Sequence, residues 1–286
     1  MPNWYTFSIA ALLLLGTQRF LYKVAAEKNC SSALTTAIFM ATVTILSAAV
    51  FFATEGSVAN LPALIGLSLL NSCAFALTTV ANIEALKHLP AGITFPLTRL
   101  SLVVVILVSI TLFGERLTPA NWFGILLALS VVVIIGYDAK WNAHEHGNVR
   151  IGFFFVAICI VCGALASISS KLAAGSVSKT GFMALSYLLG TCFSLLIERK
   201  FGKGQTAQKH LAAVWIGVLM GGLNFFGFYA FLMALASGPL SAIASLTGMH
   251  FVIAIILSVL FYKEQITPRR SIGIGLTILA VFFLRQ

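Results

Sequence analysis

Charged residues are scarce in this chain of 286 residues: they make up 9% of it, and Asp138 is its only aspartate. A soluble domain carries about 25% charged residues, so this sequence cannot cover a water-exposed surface. A hydrophobic content of 59% also excludes an intrinsically disordered chain. In a soluble protein a net charge of +10 would suggest binding to nucleic acid. In a membrane protein the excess lysine and arginine residues are instead expected in the loops between the helices. No nucleic-acid partner is therefore predicted.

Several chemical motifs are also missing. There is no glycine-rich phosphate loop, which excludes ATP as the energy source, and no G-x-S-x-G nucleophile motif. A single aspartate cannot form a paired-aspartate metal site. The first apolar segment has no acidic residue, which excludes cation coupling through a carboxylate there. The sequence thus predicts no enzyme activity, no cofactor and no metal.

Long apolar segments fill most of the chain. A helix needs about 20 mainly apolar residues to cross a bilayer. Runs such as 102–112 and 272–284 lack the polar–apolar alternation of a transmembrane barrel. The sequence predicts an all-α membrane protein with ten transmembrane helices, at about 4–22, 33–53, 61–84, 91–113, 119–137, 151–172, 181–197, 212–236, 239–262 and 268–285.

The chain also repeats itself. A shift of 149 residues places Pro90 on Pro239, and the motif from Phe113 to Pro119 on that from Tyr262 to Pro268. We therefore predict two five-helix repeats, at 1–140 and 148–286, joined by a linker at 138–150. Because five is odd, the second repeat crosses the membrane in the opposite direction, as in many secondary transporters.

Each copy of the motif ends one helix and starts the next. Thr118 and Thr267 are suited to the N-cap, and Pro119 and Pro268 to the first helical position. Two interpretations of the motif remain open: a capped hairpin that is purely structural, or a gate. The acidic residue of each copy could accept hydrogen bonds from the N–H groups that open the following helix. These residues are Glu115 and Glu264.

The duplication and the twofold E-x-[LI]-T-P-x-x-x-x-G signature resemble the drug/metabolite transporter superfamily, specifically its EamA-type branch. The resemblance implies a central cavity lined by helices three, four, eight and nine with parts of one and six, and export or exchange of small metabolites. The chain departs from the family at one point. A proline common midway in helices four and nine is replaced by Leu102 and Phe251, and Pro96 lies earlier in helix four.

Polar residues within the apolar segments are candidates for binding substrate. Arg99 in helix four either pairs with Glu84 or with carbonyls freed by Pro96, or binds a carboxylate or phosphate. His250 is either a hydrogen-bonded structural residue or a group that couples protons. The uncharged candidates lie on helices three and eight, where each could bind substrate or join two helices: Asn71, Asn82, Asn224 and Tyr229. Gln18 and Arg19 either snorkel or line one mouth of the cavity.

The loop charges predict an orientation. Most loop lysines and arginines follow helices one, three, five, seven and nine. The positive-inside rule then places both termini outside the cytoplasm, whereas members of the resembling family usually have cytoplasmic termini.

These features favour an inner-membrane, multi-pass secondary transporter of a small anionic or zwitterionic metabolite, with protons as a possible coupling partner. Two alternatives remain: an exporter of hydrophobic or cationic compounds, with some of the 23 phenylalanines lining the cavity, or a membrane protein that transports nothing. The oligomeric state does not follow from the sequence. The GxxxG formed by Gly217 and Gly221 is expected to pack within the chain.

Overall fold

The computed structural model describes residues 3–28, 30–56, 60–88, 97–98, 100–136, 149–201, 207–262 and 268–284. Within these ranges the chain forms eleven α-helices and no strand. The helices are α1 (Asn3–Glu27), α2 (Ser32–Thr54), α3 (Leu61–His88), α4 (Ser101–Leu112), α5 (Pro119–Gly136), α6 (Val149–Ser176), α7 (Lys179–Phe201), α8 (Ala207–Ser237), α9 (Leu240–Gly248), α10 (His250–Tyr262) and α11 (Pro268–Phe283).

The helices have the length and surface of membrane spans. In the described part of the chain, six stretches are long and apolar enough to cross a bilayer, at 34–54, 61–78, 150–176, 179–196, 210–237 and 240–262. Large apolar side chains cover the outside, such as Phe52, Leu112 and Phe261 at 74%, 75% and 71% exposure. Lipid tolerates such a surface, whereas water does not. The predicted class, an all-α membrane protein, is confirmed.

The two repeats are intertwined, and their helix contacts follow the repeat symmetry. Helix α1 packs along α8, and the repeat-related helix α6 packs along α3. The contact of α2 with α8 likewise has its counterpart in that of α7 with α3, while α2 packs on α7 and α5 on α11. The main core contains side chains of both repeats. The interior of the protein is thus the interface between the repeats.

The fourth and ninth spans are interrupted at matching positions, although uninterrupted helices were expected there. The N–H of Leu100 donates to the Leu97 carbonyl at 3.0 Å, and that of Met249 donates to Leu246 at 3.2 Å. Leu100 and Met249 are 149 residues apart, which is the repeat offset. Both turns therefore form without a proline at the interruption, and discontinuous spans of this kind border the binding sites of many transporters.

The GxxxG of α8 packs against α2, within the chain as expected. A Cβ at Gly217 would lie 2.8 Å from Cγ2 of Ile38. A Cβ at Gly221 would lie 2.4 Å from Cβ of Thr42 and 2.9 Å from the Phe39 carbonyl oxygen. Only glycine allows the two helices to approach this closely.

We expect Gly221→Ala to destabilise the protein by about 1–3 kcal/mol, because the added methyl group forces α8 away from α2. Gly222→Ala is the matched control, since a Cβ at Gly222 would meet no atom within 4 Å. Unfolding of both variants in detergent measures the difference. Equal loss of stability in the two variants would contradict this packing.

Candidate functional site

A cavity of about 550 Å³ lies between the repeats. Helices α1, α2 and α3 of the first repeat and α6, α7, α8 and α10 of the second contribute to its wall. Its volume is in the range of small-molecule sites, about 300–1,000 Å³. The polar lining residues with the largest side chains are Gln18, Arg19, Tyr22, Asn71, Tyr187, Asn224 and His250.

Arg19 on α1 gives the cavity a positive charge. Its guanidinium carbon lies 5.7 Å from the centre of the Tyr22 ring, a cation–π contact that holds the side chain in place. The described lining residues include neither aspartate nor glutamate to neutralise this charge. Of the two interpretations given to Arg19 above, the structure therefore supports the one in which it lines the cavity.

Aromatic rings form the apolar part of the wall. Tyr22 contacts Phe39 edge-on at 6.5 Å, and Phe39 contacts Tyr187 at 6.0 Å. Tyr187 contacts Phe228 at 5.8 Å, and Phe228 stacks on Phe231 at 5.9 Å between ring centres. We call these five residues the aromatic wall. Their mutual packing keeps the cavity open beside the charge, because rings held by neighbours cannot collapse into it.

Asn224 on α8 faces the cavity from the second repeat. Its Nδ2 donates to Oε1 of Gln18 on α1 at 3.2 Å, which joins the two repeats. Both side chains are buried, at 6% and 4% exposure. The Oδ1 atom of Asn224 has no hydrogen-bond partner within the described chain. This amide thus ties α8 to α1, and its oxygen is enclosed by protein rather than presented to the cavity.

Asn71 on α3 also lines the cavity, but its donors are engaged. Nδ2 contacts Oγ of Ser169 at 2.9 Å, Oγ of Ser170 at 3.1 Å and the Ala166 carbonyl at 3.0 Å. An amide nitrogen has two hydrogens, so α6 takes up its full donor capacity. Asn71 mainly ties α3 to α6.

His250 begins α10, immediately after the interruption at Met249. Its Nδ1 lies 2.7 Å from the Thr247 carbonyl. A carbonyl only accepts, so Nδ1 is the donor in this contact. The break in the ninth span thus sets the orientation of the imidazole at the cavity.

Tyr229 does not line the cavity, contrary to expectation. It is 36% exposed and stacks on Phe225 at 6.3 Å. The physical reason is the helix period: five residues from Asn224 correspond to about 140° around the axis. Phe228 and Phe231, four and seven residues on, share the face of Asn224 and do line the cavity.

Some of the residues predicted from the sequence lie outside the part of the chain that the structure describes. They are Arg99, Glu264 and Thr267, together with the side chain of Asn82. The candidate role of each stays a prediction.

The first copy of the repeated motif forms a tight connection between α4 and α5. Gly114 adopts a left-handed conformation with φ of 61°, which favours glycine. The N–H of Glu115 then donates to the Ser109 carbonyl at 3.2 Å and closes α4. Thr118 Oγ1 accepts from the Asn121 N–H at 3.1 Å, the N-cap geometry, and Pro119 opens α5. Pro268 opens α11 in the same way.

Glu115 bonds to the other repeat rather than to the following helix α5. Its two carboxylate oxygens accept from the N–H groups of Leu240 and Ser241, and Oε2 also accepts from Oγ of Ser241 at 2.6 Å. These N–H groups open α9, where a negative charge is favourable. The Gly114 turn directs the side chain across the repeat interface, which sequence spacing does not reveal.

Lys171 on α6 completes this arrangement. Its Nζ donates to the carbonyls of Leu235 and Gly238 at 2.7 and 2.6 Å, where α8 ends. We call Glu115, Lys171 and the backbone they hold between α8 and α9 the Glu115 cluster. Lys171 is not among the functional residues predicted from the sequence. A signal existed, because Lys23 and Lys171 occupy corresponding positions in the two repeats.

Comparison with known proteins agrees with this architecture. The model of the EamA-like transporter family matches residues 2–137 and again 150–286. A crystal structure of another protein superposes with a TM-score of 0.81 over 99% of this chain and 98% of the other, at 20% identity, which shows the fold alone.

Two curated relatives share a shorter segment. They bear the name "Probable 4-amino-4-deoxy-L-arabinose-phosphoundecaprenol flippase subunit ArnE" and come from Salmonella enteritidis PT4 and Salmonella gallinarum. Each is 37% identical over 54 residues, which is 19% of this chain and 49% of the relative. The match thus spans about half the length of these relatives. Because the family model covers almost the whole chain in two copies, this protein belongs to the EamA-like transporter family.

Proposed function

We propose that this protein is a secondary transporter that moves a small anionic or zwitterionic metabolite through the cavity between its repeats by alternating access. One observation carries the proposal: Arg19 lines the cavity, and the described lining has no carboxylate. Arg19 is exposed rather than enclosed by protein, and a charge that faces a cavity in a membrane protein is a candidate for part of a substrate pathway. The guanidinium fork suits a carboxylate or phosphate.

The rest of the wall suits a small molecule with a polar and an apolar part. Asn224 and Gln18 provide amide groups beside Arg19, and the aromatic wall provides apolar surface. The substrate that the flippase relatives are named for contains a phosphate, which agrees with a cationic side chain in the cavity wall. His250 remains our candidate for proton coupling, and the inner membrane our proposed location.

The Glu115 cluster supports alternating access. It binds a carboxylate of the first repeat to the first turn of α9 in the second, at the ends of α4 and α8. The two repeats cannot separate between Glu115 and the start of α9 unless these bonds break. We propose that the cluster is a gate, closed in this structure and broken when the transporter opens on this side.

A ligand screen on the purified full-length protein tests the proposed substrate class. Compounds of matched size should be compared in four groups: carboxylates and phosphates, zwitterions, neutral amides, and amines or quaternary ammonium ions. A ligand at about 100 times its Kd stabilises the folded state by about 2.7 kcal/mol. We expect stabilisation by anions or zwitterions, followed by their uptake into proteoliposomes. Stabilisation by cations or neutral compounds alone would contradict the proposal.

Export of hydrophobic or cationic compounds is a second candidate function, and the aromatic wall favours it. Ring faces attract cations with about 0.5–2 kcal/mol each. Arg19, however, already lies over the Tyr22 ring and repels a second cation. The same screen separates the two functions, because an exporter of cations should be stabilised by the amines and quaternary ammonium ions.

A further inference from the structure

The orientation of Arg19 depends on the ring of Tyr22. Arg19 is an exposed residue with a long, flexible side chain, and the cation–π contact at 5.7 Å holds its guanidinium over that ring. A long side chain loses rotamer entropy when it is fixed, so it keeps one orientation only where a neighbour holds it. Whatever fixes the Tyr22 ring therefore also fixes the charge in the cavity.

Tyr22 is held at its ring and at its hydroxyl. The ring packs edge-on against Phe39 of α2 at 6.5 Å. The hydroxyl lies against the Gln18 amide, with which it shares a side-chain hydrogen bond. Gln18 lies four residues before Tyr22, so the two side chains are neighbours on the surface of α1. The two contacts together set both the position and the tilt of the ring.

Gln18 is in turn held by the second repeat. Nδ2 of Asn224 on α8 donates to Oε1 of Gln18 at 3.2 Å, and both residues are buried. The Asn224 amide also lies against the hydroxyl of Tyr187 on α7 and shares a side-chain hydrogen bond with it. An amide nitrogen carries two hydrogens, so it can serve both neighbours. Tyr187 contacts Phe39 at 6.0 Å, which packs this end against the same ring that supports Tyr22.

These contacts form a continuous path from the second repeat to Arg19. They run from Tyr187 through Asn224 and Gln18 to Tyr22, and we call these four residues the tyrosine–amide network. Helices α7 and α8 belong to the second repeat and α1 to the first. Hydrogen bonds in series polarise one another in a low-dielectric interior, so the loss of one weakens the next. The orientation of Arg19 is thus linked to the packing of one repeat on the other.

We propose that the tyrosine–amide network positions the guanidinium of Arg19 for the anionic group of the substrate, so that binding of this group depends on the contact between α8 and α1. The inference rests on the proposed function, in which Arg19 is the partner of the anion. The four residues of the network are positioning residues, and their role requires no contact with the substrate. Movement of α8 away from α1 during transport then releases Tyr22 and weakens the hold on the anion.

The test measures how fast phenylglyoxal, a reagent specific for guanidinium groups, modifies Arg19 in the purified full-length protein. Mass spectrometry gives the rate, with the exposed Arg150 in the same sample as internal reference. Tyr22→Phe is the most conservative variant, because it keeps the ring and removes only the hydroxyl. Gln18→Leu and Asn224→Leu remove the two amides of the network.

We expect each of these three variants to raise the rate at Arg19, relative to Arg150, by about threefold or more, as the loss of one hydrogen bond predicts. Gln18→Leu combined with Tyr22→Phe should have no greater effect than either change alone, since both break the same link. Asn71→Leu is the matched control. Asn71 lines the same cavity but bonds to α6, so its loss should leave the rate at Arg19 unchanged.

Protection by anions separates this inference from the proposed function. Benzoate and phenyl phosphate should each slow the modification of Arg19 in wild type, because an anion bound to the guanidinium blocks the reagent. In Tyr22→Phe the same protection should require about threefold more of either compound or above.

Unchanged rates at Arg19 in both Tyr22→Phe and Gln18→Leu would overturn the inference. An equal increase in Asn71→Leu would also overturn it, because that pattern indicates general loosening of the cavity. Failure of both anions to protect Arg19 in wild type, with the variant rates raised as expected, would contradict the proposed function and leave the positioning of Arg19 intact.

Discussion

Replacing Arg19 by glutamine is expected to lower substrate uptake into proteoliposomes by about a hundredfold. A hydrogen bond to a charged group contributes about 1.5–3 kcal/mol, and about 1.4 kcal/mol corresponds to a factor of ten. Loss of the guanidinium also leaves the acidic group of the substrate in a cavity whose described lining has no other arginine or lysine. The loss should therefore appear as weaker binding, with a raised KM.

Arg19→Lys should retain part of the activity, with about a tenfold loss, because lysine keeps the charge but not the two-pronged geometry. Arg150→Gln makes the same charge change at the exposed start of α6, away from the cavity lining, and serves as the matched control. Uptake by Arg19→Gln at the wild-type rate and KM would remove Arg19 from the mechanism. Arg99→Gln in the same assay determines whether the other candidate arginine contributes.

Replacing Glu115 by alanine is expected to reduce transport about tenfold or more while substrate binding stays within about threefold. The carboxylate accepts three hydrogen bonds from the first turn of α9. If their loss destabilises the state closed at this end by about 3 kcal/mol, the populations of the two states shift by about a hundredfold. A transporter that rarely closes at one end completes few cycles.

Hydrogen exchange provides an independent measurement. In wild type the N–H groups of Leu240 and Ser241 are bonded to Glu115, so they should exchange slowly; in Glu115→Ala they should exchange at least about tenfold faster. Glu55→Ala is the control. Glu55 accepts one hydrogen bond, from Oγ1 of Thr180 at 3.1 Å, so its loss should leave the exchange of α9 unchanged. Normal exchange and transport in Glu115→Ala would exclude the gate.

Local sequence features predicted the elements well. Apolar length alone indicated the spans, because backbone groups in lipid must be bonded within the helix. The repeat offset of 149 residues also appears in the paired interruptions at Leu100 and Met249. Neither interruption was predicted, since the proline expected to cause one is absent from both spans.

The candidate binding residues were predicted less completely. Asn71, Asn224 and His250 line the cavity, because polar side chains in a membrane segment avoid lipid by facing protein. Tyr229 tolerates the outer surface, since a tyrosine ring is mainly apolar. Polarity by itself therefore does not distinguish the two faces of α8, whereas the helix period from Asn224 does.

The amino-acid sequence by itself determined that this protein is a helical membrane protein of two repeats, because hydrophobic length and internal similarity are properties of the chain alone. Only the tertiary structure decided which polar groups work together. Arg19 and Asn224 line the same cavity although 205 residues separate them in the sequence. Glu115 bonds to the start of α9, which lies 125 residues further along the chain. Partners this distant are brought together by the packing of one repeat on the other, which no local pattern encodes.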